Sequence, residues 1–106
     1  MRVLFDQGTP VPLRQALFGH SVCTAYELGW VTLKNGELLR FAEARGFEVL
    51  VTTDTNLRYQ QNLAARQIAV VALSTTSWPR IRLVAEHVDS AVNSASASSY
   101  VEVSIP

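Results

Sequence analysis

The chain is poor in the residues that staple, anchor or steer a protein. Cys23 is its only cysteine, so no disulfide can form within it. With 106 residues, 48% of them hydrophobic, it can build a single-domain core (1–106) without such a staple. No apolar run approaches the ~20 residues needed to span a bilayer. No charged segment leading into an apolar one opens the sequence, and a cytoplasmic chain without a membrane segment is the expectation. Lys34 is the only lysine among nine basic residues, and nine acidic residues balance them. A net charge of zero gives no electrostatic footprint for tight, sequence-independent binding to nucleic acid. Gly8 stands alone, so no glycine-rich phosphate cradle is present. His20 and His87 lie far apart, and neither has metal-ligand spacing with Cys23.

What is present reads as strands alternating with helices. Met1 to Phe5 is a short apolar run that stops at Asp6. Thr9 and Pro10 then suit the start of a helix from about Val11 to Leu17, which Gly19 ends. His20 to Cys23 reads as a short strand, and Thr24 with Glu27 fits the capping box of a brief helix closed by Gly29. Asn35 is a good N-cap for the clearest helix, with Leu38, Leu39, Phe41 and Ala42 on its apolar face and Gly46 at its C-terminal turn. Phe47 to Thr52 is a second apolar strand, and Ile68 to Leu73 is a third, apolar on both faces as strands inside a parallel sheet are. Tyr59 to Arg66 reads as helical, and Ile81, Val84, Val88 and Ala91 repeat at helical spacing. Asn93 to Ser99 is a polar linker. Val101, Val103 and Ile105 alternate as in a half-buried edge strand. The pattern predicts right-handed βαβ units in an α/β fold: a three-layer α/β/α sandwich on a mostly parallel sheet, with a C-terminal edge strand.

In open sheets of this kind, ligands bind beyond the carboxyl ends of the strands, near the point where the strand order reverses. Asp6 and Asp54 each stand just past an apolar strand, and Glu37 lies in the first turn of its helix. Three such oxygen ligands in one crevice suit Mg²⁺ or Mn²⁺, which would activate water and neutralise charge on a phosphodiester. Convergence of the three carboxylates within ~10 Å is the geometric expectation, a span that bridged ions fill. Each acid also has an ordinary reading. An Asp after a strand is often a turn residue, and a Glu in a first helical turn is favoured by the helix dipole. Asn56 and Arg58 are candidate substrate contacts, Arg58 through phosphate. Trp30 and Trp78 suit ordinary packing, base stacking or a dimer interface.

The ordered set Leu4-Phe5-Asp6-Gln7-Gly8-Thr9-Pro10, Lys34-Asn35-Gly36-Glu37-Leu38-Leu39 and Leu50-Val51-Thr52-Thr53-Asp54-Thr55-Asn56-Leu57 resembles the small PIN-like proteins related to VapC-type toxin nucleases. The likeness runs over nearly the whole chain. It implies a metal-dependent ribonuclease, with Asp6 as the first-strand acid, Glu37 as the helix acid and Asp54 as the later-strand acid. It also implies the toxin role of a toxin–antitoxin pair, with RNA as substrate and a small DNA-binding antitoxin as partner. Relatives commonly carry Asp-Glu-Asn after the first strand, where this chain has Asp6-Gln7-Gly8. They often carry a second acid two residues past the later Asp, where this chain has Asn56. A site with fewer charges holds divalent metal more weakly.

A different class of function fits the same residues: a PIN-like interaction module without efficient metal binding, acting through a partner protein or a homodimer. A phospho-receiver-like domain also pairs acids at these strand ends. It normally has adjacent acids after the first strand and a late lysine; Gln7 breaks the pair here and no lysine follows Leu73.

Overall fold

The computed structural model describes residues 1–106. Its five strands are β1 (Arg2–Phe5), β2 (Ser21–Thr24), β3 (Val49–Thr52), β4 (Ala69–Leu73) and β5 (Tyr100–Val103). They form one sheet in the order β2-β1-β3-β4-β5, and every neighbouring pair is parallel. The helices are α1 (Asn35–Ala44), α2 (Leu57–Gln60), α3 (Trp78–Ile81) and α4 (Ala85–Asn93), with 3₁₀ turns at Val11–Ala16, Leu63–Ala65 and Arg82–Val84. This is a doubly wound order whose reversal lies between β1 and β3.

Period-two alternation divides the apolar side chains between the two faces of the sheet. Val3, Phe5, Val49, Val51, Ala69 and Val71 face a first core, closed by Leu13, Leu17, Ile81, Val88 and Val92. Leu4, Leu50 and Val70 face a second, closed by Leu38, Leu39, Ala42, Leu57 and Leu63. The chain is thus an α/β/α sandwich, and β3 and β4 are buried along their whole length.

The hand of the crossovers departs from the expectation of uniformly right-handed units. The β2–β3 and β3–β4 connections step one way along the sheet over the second face. The β1–β2 connection steps the other way over the first face, so all three share one hand, the right-handed one by the general rule. The β4–β5 connection steps in the same direction as β2–β3, yet its helices cover the first face. Its hand is therefore opposite.

Local differences have local causes. Val11–Ala16 is 3₁₀ and not α; it starts after Pro10, holds Pro12 in its first turn, and has no side-chain cap. Thr24 and Glu27 do exchange the bonds of a capping box: the Thr24 amide donates to Glu27 Oε1 at 2.9 Å, and the Glu27 amide to Thr24 Oγ1 at 3.1 Å. That segment is only a turn, closed at Gly29 with φ +73°. The Tyr59–Arg66 helix is broken at Gln61, whose backbone is extended. On α1, Phe41 lies at the edge of the apolar face, 40% exposed and edge-on to Trp30 at 5.8 Å. Gly46, with φ +79°, ends α1 as expected: its amide donates to the Glu43 carbonyl and that of Phe47 to the Ala42 carbonyl, a Schellman closure. Val103 at the end of β5 and Ile105 just beyond it are buried while Val101 is 41% exposed. No helix is long and apolar enough to cross a membrane.

Candidate functional site at the carboxyl edge

Asp6 follows β1 directly, and its amide donates to the Val51 carbonyl of β3 at 3.2 Å. The register pairs Phe5 with Val51, so Asp6 stands level with Thr52. Alternation turns both side chains toward the second face, like Leu4 and Leu50 behind them. Thr52 is buried, and its hydroxyl donates to Asp6 Oδ2. The same hydroxyl oxygen accepts the Asp54 amide at 3.0 Å. One threonine thus joins the two acids across the switch point.

The other oxygen of Asp6 is held from its own turn. Asp6 Oδ1 accepts the Thr9 amide at 3.1 Å and the Thr9 hydroxyl at 2.7 Å. Thr9 Oγ1 also lies 2.9 Å from the Val51 carbonyl, so its single proton is shared toward the charged acceptor. Thr9 is buried and serves Asp6 rather than a helix start. Gly8 allows this turn to close on the neighbouring strand, since a Cβ there would meet Thr53 Oγ1 at 2.5 Å.

Asp54 is held in the same manner. Its Oδ1 accepts the Asn56 amide at 2.9 Å, an Asx turn leading into α2. Its Oδ2 accepts Asn35 Nδ2 at 3.0 Å. Asn35 was expected as the cap of α1. The cap is Lys34 instead, and Asn35 is the first helical residue. Its side chain is therefore free to reach Asp54, and also Gln60 Oε1 at 3.1 Å. A small cavity of about 160 Å³ opens beside Asp6, lined by Gly8, Ala25, Trp30, Leu33, Asn35 and Leu38 among others. A larger cavity, about 390 Å³, lies at the opposite edge, where Phe47, Glu48 and Gln67 lead into the strands. The smaller one is the better placed for chemistry, because it sits at the switch point beside a carboxylate.

Glu37 takes no part in this network. It is exposed, and its Oε1 accepts the Lys34 amide at 3.3 Å, the return bond of a capping box. No group of three or more His, Cys, Asp and Glu side chains comes together in a way that could hold a metal ion. Glu37 therefore stands apart from the hydrogen bonds that link Asp6 and Asp54. What the fold assembles is the pair Asp6 and Asp54, with Thr9, Thr52 and Asn35 fixing them.

The candidate substrate residues divide as well. Asn56 is exposed beside Asp54 and gives it a backbone bond. Arg58 turns away toward β5, with its guanidinium 3.7 Å from Glu102. Trp30 is core, edge-on to Phe47 at 6.2 Å, and Trp78 packs half-buried against the first core. His20 links Met1 and α4, with Nε2 2.7 Å from Asn93 Oδ1. Sequence reasoning gave Thr9 and Asn35 only local roles at helix starts and did not single out Thr52. The one available signal was a hydroxyl residue ending an otherwise apolar strand.

No family model, curated protein or solved structure matches the chain.

Proposed function

We propose that the crevice between β1 and β3 is the site of a metal-dependent ribonuclease that cuts RNA phosphodiesters, with Asp6 and Asp54 as its carboxylate pair. The observation that carries this reading is the Thr52 bridge. A buried hydroxyl at the switch point there holds the Asp6 carboxylate and the Asp54 backbone amide together. The donor chemistry fits Mg²⁺ or Mn²⁺, which protein sites often hold through one or two carboxylates while substrate phosphate and water supply the rest. Glu37 does not fit as a third ligand, since its carboxylate is committed to its own helix terminus. When bound by Asp6 and Asp54, the ion supplies acidity to water and neutralises phosphate charge.

The chain's own residues provide orientation. Thr9 and Thr52 hold both oxygens of Asp6, and Asn35 and the Asn56 amide hold both oxygens of Asp54. Carboxylates fixed in advance pay little reorganisation when charge develops in the transition state. The likeness to PIN-like nucleases supports RNA as substrate, a toxin role with a small DNA-binding antitoxin, and a cytoplasmic setting.

A second reading is favoured by the missing third carboxylate: an inactive PIN-like module acting through a partner or as a homodimer. Cleavage of labelled single-stranded RNA with Mn²⁺ or Mg²⁺ separates the two. On the nuclease reading the wild type cleaves, an Asp6→Asn/Asp54→Asn variant purified alongside does not, and Glu37→Gln retains activity. No cleavage by well-folded wild type favours the module. Equal cleavage by the double variant marks a contaminant.

A further inference from the structure

The opposite-hand β4–β5 connection leaves the second face of β5 without a covering helix. Tyr100 and Glu102 turn to that face, paired with Val70 and Ala72. Over them lie side chains of α2. The Arg58 guanidinium is 4.7 Å from the centre of the Tyr59 ring and 5.3 Å from that of Tyr100. Arg58 Nη2 donates to the Tyr59 hydroxyl at 2.5 Å and lies 3.7 Å from Glu102 Oε1, which also accepts the Tyr100 hydroxyl at 3.0 Å. The outer ring, Tyr59, is 73% exposed. An arginine ring-stacked and paired in this way holds an aromatic face open to solvent.

This shelf adjoins the carboxyl-edge site through α2. Asp54 caps the turn into α2, Gln60 shares the Asn35 amide with Asp54, and Arg58 and Tyr59 stand on the side toward β5. One helical turn, about 5.4 Å of pitch, spans the element between them. Unpaired bases stack on exposed aromatic rings without sequence preference, and an adjacent arginine adds cation–π attraction. A base-paired strand offers no such free face. We propose that Tyr59, held by Arg58, whose guanidinium also lies over Tyr100, is a base-stacking subsite for single-stranded RNA beside the Asp6–Asp54 pair. This rests on reading that pair as the ribonuclease site.

The test is fluorescence anisotropy of a short labelled oligouridylate in EDTA, so that binding is read without turnover. Tyr59→Ala is expected to weaken binding about tenfold, the size of one base–aromatic stack. Tyr59→Phe, which keeps the ring, restores it. Tyr26→Ala, which removes another exposed tyrosine, leaves it unchanged. Absence of binding by the wild type overturns the proposal, as does equal affinity for wild type and Tyr59→Ala, or equal loss in Tyr59→Phe. A wild-type dimer in sedimentation that Tyr59→Ala abolishes also overturns it, because a second copy then occupies the shelf. If RNA is cleaved while Tyr59→Ala binds normally, the subsite fails and the nuclease reading stands. If binding depends on Tyr59 while no metal restores cleavage, the nuclease reading fails and the stacking surface stands.

Discussion

Replacing Thr52 by valine tests the centre of the site with almost no change in shape. Thr52 is 1% exposed, and its hydroxyl makes two bonds: it donates to Asp6 Oδ2 and accepts the Asp54 amide. The bond to a carboxylate is of the charge-assisted kind, with a net contribution of about 1.5–3 kcal/mol, and the amide bond contributes about 1. Valine regains part of this through apolar transfer, so Thr52→Val should cost about 2–3 kcal/mol. With a urea dependence of about 1.5 kcal/mol per molar, the unfolding midpoint falls by roughly 1.3–2 M. The same substitution made in an Asp6→Asn background should cost about 1–2 kcal/mol less, because the charged acceptor is gone. Thr52→Ser, which keeps the hydroxyl, should restore most of the coupling. A cost for Thr52→Val below about 0.5 kcal/mol, within the range of neutral surface changes, would refute the bridge. So would an equal cost in both backgrounds, for then the hydroxyl does not act through Asp6.

Other expectations follow from the same geometry. Gly8→Ala forces a Cβ against Thr53 Oγ1 and should destabilise by about 1–3 kcal/mol in thermal or urea unfolding, because the Asp6–Thr9 turn must shift. Glu37→Ala removes the return bond of the α1 cap and should cost about 0.5–1 kcal/mol by urea unfolding. Gly46→Ala places a side chain at φ +79° and should cost about 1–2 kcal/mol by the same measurement. Burial and the hydrogen bond to Glu102 push the Tyr100 phenol up to about 12 from 10.0. A raised pKa means the folded state holds this proton more tightly. Its contribution to stability is therefore complete below pH 10.0 and lost as pH rises toward about 12. Tyr100→Phe should remove that phase from ultraviolet phenolate titration and flatten the alkaline fall in stability.

Much of the fold was legible because burial on both faces leaves a plain mark. Val49–Thr52 and Ala69–Leu73 are continuous apolar runs, and a sheet covered on both sides demands such runs. Gly46 was legible because only a residue tolerant of positive φ closes α1 as it does. Asp6 and Asp54 were legible because they stop such runs at the edge where ligands bind. Thr9 and Thr52 were not. Threonine is at home in strands and turns for ordinary reasons, and only the Phe5–Val51 register shows what its hydroxyl reaches. Asn35 was hidden by a good local alternative, since asparagine before an apolar helix reads as a cap. Glu37 shows the reverse: its local reading, at the start of a helix, is the one the fold realises. The hand of the β4–β5 crossover left no local trace, because helical periodicity at Val88 and Val92 does not say which face receives them.

That crossover also orders events during synthesis. Every fully buried residue of the second core, from Leu4 through Val70, precedes Ser74, and only the half-buried Tyr100 joins it later. The first core waits for Ile81, Val88 and Val92. As the chain emerges from the ribosome, one side of the sheet can be dry while Val3, Phe5, Val49 and Val51 still face water. Such half-covered sheets are prone to sticking to one another. The nascent protein thus carries an exposed apolar face until α3 and α4 have been made, and this interval is when a chaperone has most to hold.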